Sequence, residues 1–355
     1  MRKLFIPIFK AVFSNKPAQL PLDPKKIKKT LVIRYDVAGD MIVTTPIFEL
    51  LKKVNPDMKV DLVASNRNKF IIEGSDFVDD IFIADRSFKS HLNLVPKLRA
   101  KNYDLILPVV FHKATNNGMI ANLIGGKNSV KVTLSHGKRN KLYATLYNYL
   151  HQSDSADILM SGLLKDIIRS LFARPELDAP QRVVIPESSR NLASNLIRSL
   201  PREKSIVYNM SAGREENSWL AEQKVEFVNM IYKGWGSDYN IVLIAAPGDE
   251  DLSQDLVKKH PEKYHFFRPT KNYSDTAAIV ANADILVTPD TSIAHLGAVF
   301  SLPTFVKYKL FDPNRPMWKP DTKQFGYACS KDGYIKNLKP QEAFEKLKLF
   351  YQSLR

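Results

Sequence analysis

The chain has 355 residues, 44% of them hydrophobic and 25% charged, enough to bury a sizeable core and, at this length, to favour two domains over one. A formal net charge of +15 and a pI near 9.6 point to acidic partners: nucleic acid, an anionic membrane surface or phosphorylated substrates. Aromatic residues are spread along the chain and no zinc-finger, RNA-recognition or basic-zipper signature occurs, so nucleic acid is the weakest of the three and no nucleic-acid partner is expected. Cys329 is the only cysteine, which excludes an intrachain disulfide framework and a cysteine metal cluster and fits a reducing, cytoplasmic setting.

No run approaches the roughly 18 apolar residues needed to span a bilayer, so membrane contact is expected to be peripheral. The first stretch suggests such a contact. Leu4, Phe5, Ile8, Phe9, Val12 and Phe13 fall on one helical face with Lys3, Lys10 and Ser14 opposite, the pattern of an interfacial helix beside anionic lipid. Pro7 is expected near the start of that helix. Lys10 inside a short apolar region and the missing small-x-small pattern argue against a secretory signal. A segment docked on its own domain is the rival reading. A Pro- and Lys-rich linker, Pro17 to Lys29, completes a tail of residues 1–29.

Next comes Thr30-Leu-Val-Ile-Arg-Tyr35, a strand, then the loop Asp36-Val-Ala-Gly-Asp40 and a helix expected from Met41 to about Val54. Neither a G-x-G-x-x-G fingerprint nor a P-loop is present. Strand-like runs recur at Val60–Ala64, Asp80–Ile83, Tyr103–Leu107 and Ser129–Thr133, with helical or mixed segments between them. This alternation predicts a parallel sheet with helices on both faces. From Lys138 to Phe172 the pattern is helical, and the proline-punctuated stretch Arg174 to Pro180 marks a domain boundary, giving a first domain over 30–180. A second alternation follows, with strands at Ser205–Asn209, Asn240–Ala245, His265–Phe267, Asp284–Val287 and Pro303–Val306, in a domain over 181–338. The last segment, 339–355, carries Phe344, Leu347 and Tyr351 at helical spacing and is expected to pack back on the first domain.

The densest polar chemistry lies where the strand ending at Val287 breaks into a helix. Asp290, Thr291 and Ser292 supply N-cap side chains to a helix start whose backbone N–H groups lack intrahelical partners and whose dipole end is positive, an arrangement that attracts phosphate. His295 lies one turn in, on the side shared with Thr291 and Ser292. The ordinary alternative is a capped helix with a packed histidine. After the strand Ser205–Asn209, the small residues Ser211 and Gly213 allow backbone amides to approach a phosphate, and Arg214 can add positive charge. Gly248 and Glu250 follow the next strand; a carboxylate there can accept from two neighbouring ribose hydroxyls or cap a helix. In the first loop, Gly39-Asp40 stands at the carboxyl end of a strand, where Asp40 either caps the helix or faces a ligand crevice.

Two of these stretches resemble a known family. Val37-Ala-Gly-Asp-Met-Ile-Val-Thr-Thr-Pro46 is similar to the Gly-Asp-x-x-x-x-x-Pro signature of glycosyltransferase family 9, the lipopolysaccharide heptosyltransferases. Asp290-Thr-Ser-x-x-His295-x-x-Ala298, followed by Pro303–Val306, resembles that family's nucleotide-sugar motif, and Asp312 to Trp318 its end pattern. The resemblance implies a GT-B fold: two Rossmann-like α/β domains with parallel sheets facing a central cleft. It also implies Asp40 as general base with Gly39 on the acceptor side. A nucleotide-sugar site would be built from Ser211, Gly213, Arg214, Gly248, Glu250, Tyr273, Asp290, Thr291, Ser292 and His295, with Tyr273 stacking near the base. The family has Lys or Arg beside Trp where this chain has Asn217 and Ser218 before Trp219, and Gly-Pro-Thr where it has Lys307-Tyr-Lys309; Arg214 is the substitute cation.

The implied activity is inverting transfer of a sugar, heptose from ADP-heptose, to the inner core of lipopolysaccharide on the cytoplasmic face of the inner membrane. The acceptor is then an anionic glycolipid, consistent with the basic balance. The nucleotide sugar is a co-substrate, and no cofactor or metal is expected, helix dipoles and basic side chains taking a metal's place. Two other readings stay open: a GT-B sugar-nucleotide epimerase, and a non-catalytic nucleotide-sugar-binding protein at the membrane.

Overall fold

The computed structural model describes residues 2–13, 15–153, 158–268, 272–313 and 317–354. The chain divides into two compact units, Met1–Arg182 and Val183–Arg355.

The first unit holds strands β1 (Lys29–Ile33), β2 (Lys59–Ala64), β3 (Ile81–Ile83), β4 (Leu105–Pro108), β5 (Val130–Leu134) and β6 (Tyr149–His151). All pair in parallel, in the order β3-β2-β1-β4-β5-β6, with Ile33 opposite Val63 on one side and Pro108 on the other. Its helices are α1 (Arg2–Phe13), α2 (Ala38–Val54), α3 (Phe88–Arg99), α4 (Ala114–Gly125), α5 (Asn140–Leu146) and α6 (Met160–Phe172). The second unit repeats the plan with β7 (Lys204–Asn209), β8 (Tyr239–Ile244), β9 (Tyr264–Phe266), β10 (Ile285–Pro289), β11 (Thr304–Tyr308) and β12 (Phe325–Cys329), ordered β12-β11-β10-β7-β8-β9 and again parallel. Helices α7 (Glu187–Ser199), α8 (Ala221–Trp235), α9 (Asp251–Lys259), α10 (Tyr273–Val280), α11 (Ser292–Val299) and α12 (Pro340–Gln352) accompany it.

In both units the first strand lies beside the fourth, so the strand order reverses between them. Loops that leave the carboxyl ends of β1 and β4, or of β7 and β10, therefore flank the crevice in which open α/β sheets bind ligands. The central strands are covered on both faces and read as continuous apolar runs: Leu31, Val32 and Ile33 are fully buried, as are Ile241, Val242 and Leu243.

Two edge strands escape the sequence pattern. β6 is three residues long and sits inside a stretch that reads as helical. In β12 the usual alternation is inverted, because the buried positions are Gly326 and Ala328 while Phe325, Tyr327 and Cys329 stay half-exposed. The small residues face α12, where a Cβ on Gly326 would come within 2.5 Å of the Phe350 ring. That contact also corrects the expected place of the C-terminal helix. α12 packs on the sheet and helix of its own unit: Ala343, Leu347 and Phe350 join the core around Trp235, and the Trp235 ring lies 5.3 Å from Phe344 and 4.9 Å from Tyr351. The domain boundary falls between Arg182 and Val183.

The N-terminal stretch likewise differs from an isolated tail. α1 runs through Pro7 rather than starting there, and it docks on the first unit: Phe9 and Phe13 pack against the cluster of Ala114, Tyr143, Leu146 and Tyr147. Ile8 and Val12 point away, 50% and 64% exposed. The expected single greasy face is thus split in two; Ser14 and the side chains of Leu4 and Phe5 lie outside the described residues.

Cutting Phe350 back to alanine removes a ring packed between Phe305 and Gly326 and should cost about 3–5 kcal/mol. Urea unfolding followed by tryptophan fluorescence reads this directly, since Trp219, Trp235 and Trp318 all lie in the second unit. A loss below about 1 kcal/mol would mean that α12 does not hold the sheet together.

Candidate functional site

The first unit's site grows out of one charged residue at the end of an apolar strand. Arg34 follows β1 and is buried, and its guanidinium spreads over the loop that leads into α2. One terminal nitrogen donates to the Val109 carbonyl after β4, and Nε donates to the Asp40 carbonyl at 3.1 Å. The same group lies 3.1 Å from Asp36 Oδ1 and 3.3 Å from Asp40 Oδ1. Asn68 Nδ2 donates to the Arg34 carbonyl at 3.0 Å, so the loop is tied to β1, β4 and the turn after β2.

Asp40 is not the helix cap. α2 begins at Ala38, the N-cap residue is Val37 and no side chain caps it. Asp40 instead sits in the first turn behind Gly39, where the positive helix end favours a carboxylate. Its carbonyl accepts from Thr44 Oγ1 at 2.7 Å. Its side chain keeps 19% of its surface exposed, while those of Arg34 and Asp36 keep 2% and 8%. Of these three, Asp40 is the group placed to meet a substrate. Burial raises the Asp36 carboxyl to about 7, with Arg34 pulling it down and Asp40 pushing it further up.

Basic side chains border this loop. His112, after β4, feels both Asp40 and Arg34, and burial with help from Lys113 holds its imidazole below the usual range. Lys113 Nζ donates to the Arg86 carbonyl at 2.9 Å and lies 5.8 Å from the centre of the Tyr35 ring.

In the second unit, Asn209 at the end of β7 joins the loops. Its Nδ2 donates to Thr288 Oγ1 at 3.0 Å and to Thr291 Oγ1 at 3.4 Å, and its Oδ1 accepts from Ser211 N at 3.0 Å. Ser211 is buried and its Oγ accepts from Ala246 N at 2.8 Å, linking the turns after β7 and β8. Thr291 is the N-cap of α11, accepting from Ile293 N at 3.2 Å, and Ser292 opens the helix. Tyr273, the first residue of α10, lies beside Ser292, which pulls its hydroxyl's pKa down while burial, the larger effect, holds it above the ordinary range. His295 is buried within α11.

Asp290 remains at the surface, yet the packing around it raises its carboxyl, with Lys309 and Arg214 opposing the rise. Glu216 accepts from Lys309 Nζ at 2.7 Å and lies 3.6 Å from Arg214, whose side chain is 76% exposed. An exposed pair at that distance holds the guanidinium weakly and leaves it available to an anion. Gly213 has open space where a Cβ would stand. Gly248 adopts φ +92°, which disfavours other residues, and its N–H donates to Glu250 Oε2 at 2.7 Å. Glu250 thus closes its own loop and stands at the N-cap of α9. Residues 314–316 of the end pattern lie outside the described residues, and among the described residues no group of three or more His, Cys, Asp or Glu is placed to hold a metal ion.

Sequence reasoning missed Arg34 and Asn209, gave Asp36 no role, and met Lys307 only as a departure from the family pattern. The signal was a polar or charged residue at the carboxyl end of a buried strand. Lys307 is the extreme case: its Nζ donates to Tyr208 Oη at 2.7 Å and lies 4.0 Å from the Trp219 ring centre. Burial, with Lys224 nearby, holds the amine well below the lysine range.

No family model matches the chain. A Haemophilus influenzae protein named "Putative glycosyltransferase" is 25% identical over 311 residues, 83% of this chain and 86% of its own length. "Lipopolysaccharide heptosyltransferase 3" of Escherichia coli is 21% identical over 79% of this chain and 83% of its own. Among solved structures, a glycosyl transferase family 9 protein from Veillonella parvula gives a TM-score of 0.73 at 16% identity, covering 92% of this chain and 97% of that one. The E. coli heptosyltransferase WaaC with ADP-2-deoxy-2-fluoro heptose gives 0.66 at 17% identity, covering 92% of this chain and all of that one (100%). The fold is that of these GT-B proteins.

Lys307 allows a pH test of the second unit. Between its lowered native pKa and the ordinary value near 10.5, the unfolded chain binds a proton that the native state refuses, so stability rises with pH. Lys307→Met should be at least as stable near neutral pH, by about 1 kcal/mol or more, and its advantage should shrink as pH climbs toward the lysine range. Urea unfolding at several pH values measures both; an advantage that does not change with pH would contradict the buried, destabilised amine.

Proposed function

We propose that this chain is a glycosyltransferase of family 9 that transfers a heptose from ADP-heptose to the inner core of a lipopolysaccharide, with inversion at the anomeric carbon. The observation that carries the reading is Asp40. It is a carboxylate at the carboxyl end of β1, excused from capping and partly open to solvent. Asp40 takes the acceptor hydroxyl's proton while that oxygen attacks the anomeric carbon, and the nucleoside diphosphate leaves from the opposite side with the electron pair of the broken bond.

Donor recognition falls to the second unit. The start of α11 at Thr291 and Ser292, the exposed Arg214 and His295 meet the charge that develops on the diphosphate, and Ser211 and Gly213 keep the loop open to it. Glu250 is assigned to the ribose through its second carboxylate oxygen, and Tyr273 to the edge of the base. These side chains suffice for the leaving group's charge, so binding is expected to survive a chelator. That relatives of 25% and 21% identity carry glycosyltransferase and lipopolysaccharide heptosyltransferase names supports the substrate class, as does a fold neighbour solved with an ADP-heptose analogue.

The acceptor is an anionic glycolipid, and we place the enzyme on the cytoplasmic face of the inner membrane. No helix among the described residues is long and apolar enough to cross a membrane. Contact is assigned to the outward stripe of α1, Ile8 and Val12, with Lys10 on the same helix, Lys141 in the α5 helix it docks on and Lys138 just before that helix. Each such cation near an anionic surface contributes about 1 kcal/mol.

Asp40→Asn keeps the shape and removes the proton acceptor, so turnover should fall about 10²-fold or more with little change in donor binding by calorimetry. Near-normal turnover would remove Asp40 from the reaction. For the membrane contact, Ile8→Glu with Val12→Glu alters two exposed positions and leaves the Phe9 and Phe13 anchors in place. This variant should lose sedimentation with phosphatidylglycerol vesicles while transfer to a delipidated acceptor persists; undiminished sedimentation would rule out that stripe.

A further inference from the structure

The carboxyl end of β1 carries a second carboxylate that the reaction above does not use. Asp36 and Asp40 share one cation: Arg34 lies 3.1 Å from the first and 3.3 Å from the second. The guanidinium cannot swing to favour either, because it also donates to the Val109 carbonyl and, at 3.1 Å, to the Asp40 carbonyl. Asp36 is buried and cannot meet a substrate, whereas Asp40 reaches the rim. The same cation therefore connects a hidden acid to the exposed base.

We propose that Asp36 is a positioning residue that controls, through the shared Arg34, how readily Asp40 accepts the acceptor hydroxyl's proton. The proposal rests on the reading of Asp40 as base. With Asp36 neutral, the whole guanidinium charge opposes protonation of Asp40. With Asp36 ionised, that charge is divided and a second negative charge stands nearby, so Asp40 is freer to take the proton. The proton passes from the acceptor oxygen to Asp40 as the glycosidic bond forms, and leaves for solvent from the exposed side. Asp36 carries none of it.

The geometry has a pH signature. Burial first, and Asp40 after Arg34's opposing pull, raise Asp36 to about 7, so it ionises as pH passes through neutrality. The other charged and titratable groups around the loop are Tyr35, Arg86, His91, His112 and Lys113. Tyr35 is pushed up to about 12 by burial, and its hydroxyl donates to Asn117 Oδ1 at 2.9 Å. His91 meets Tyr35 edge-on at 4.2 Å, and burial holds the imidazoles of His91 and His112 below their usual range.

The test is kcat at saturating donor and acceptor, from about pH 5.5 to about pH 9, for the wild type, Asp36→Asn and Asp36→Glu, with donor affinity measured alongside. The wild type should show a rise centred near 7. Asp36→Asn should match it at the acid end, where the native carboxyl is neutral, and fall about tenfold behind at the alkaline end, with donor affinity unchanged. Asp36→Glu restores a carboxylate and should restore a rise. A drop in Asp36→Asn by the same factor at every pH would reduce Asp36 to a structural role, and a wild-type profile flat through neutrality would overturn the proposal even if the variant fails to fold. Failure of the base assignment reads out separately, as turnover retained in Asp40→Asn.

Discussion

A buried arginine at the end of the first strand organises the candidate site of the first unit. Taking Arg34 out of water is costly unless its charge is compensated and its donors are used. Asp36 and Asp40 supply the compensation, and the carbonyls of Asp40 and Val109 take the donors. Because those partners come from the loop after β1, from the first turn of α2 and from the end of β4, satisfying one side chain fixes the relative positions of all three. The Asp40 carboxylate is held at its place by a requirement of burial, and its chemical use follows from where that requirement leaves it.

The second unit solves the matching problem with neutral groups. Asn209 occupies the equivalent end of its first strand and ties the turn at Ser211 to Thr288 and Thr291, so the start of α11 is held against β7 by side-chain amide and hydroxyl bonds. Both sheets have the same strand order, and in both a polar residue at the carboxyl end of the first strand stands where the order reverses. One topology thus presents a charged loop in the first unit and a hydroxyl-capped helix start in the second.

Much of this was legible in the sequence. Ten of the twelve strands among the described residues announce themselves as apolar runs, because parallel strands covered on both faces leave a continuous signal. Gly39-Asp40 and Asp290 to His295 were visible as motifs, and the structure brings Thr291, Ser292 and Tyr273 together. What was hidden depended on partners far along the chain. Nothing local says that Arg34 will meet Val109, that Lys307 will sit under Trp219, or that Gly326 is small because Phe350 lies over it. The greasy face of α1 was read as one surface, but only tertiary packing decides that Phe9 and Phe13 go inward and Ile8 and Val12 outward. The C-terminal helix was misplaced for the same reason: an apolar stripe tells that a helix packs, not on what.

The central claim is that this chain moves a sugar from a nucleotide onto a lipid-linked acceptor. The most direct measurement is the fate of label when the purified protein is incubated with ADP-heptose labelled in the sugar and a lipopolysaccharide precursor that lacks inner-core heptose. The account predicts label in the glycolipid fraction, with ADP released in equal amount. Label that stays in the nucleotide pool as an isomerised sugar, or donor that binds without turnover, would contradict it.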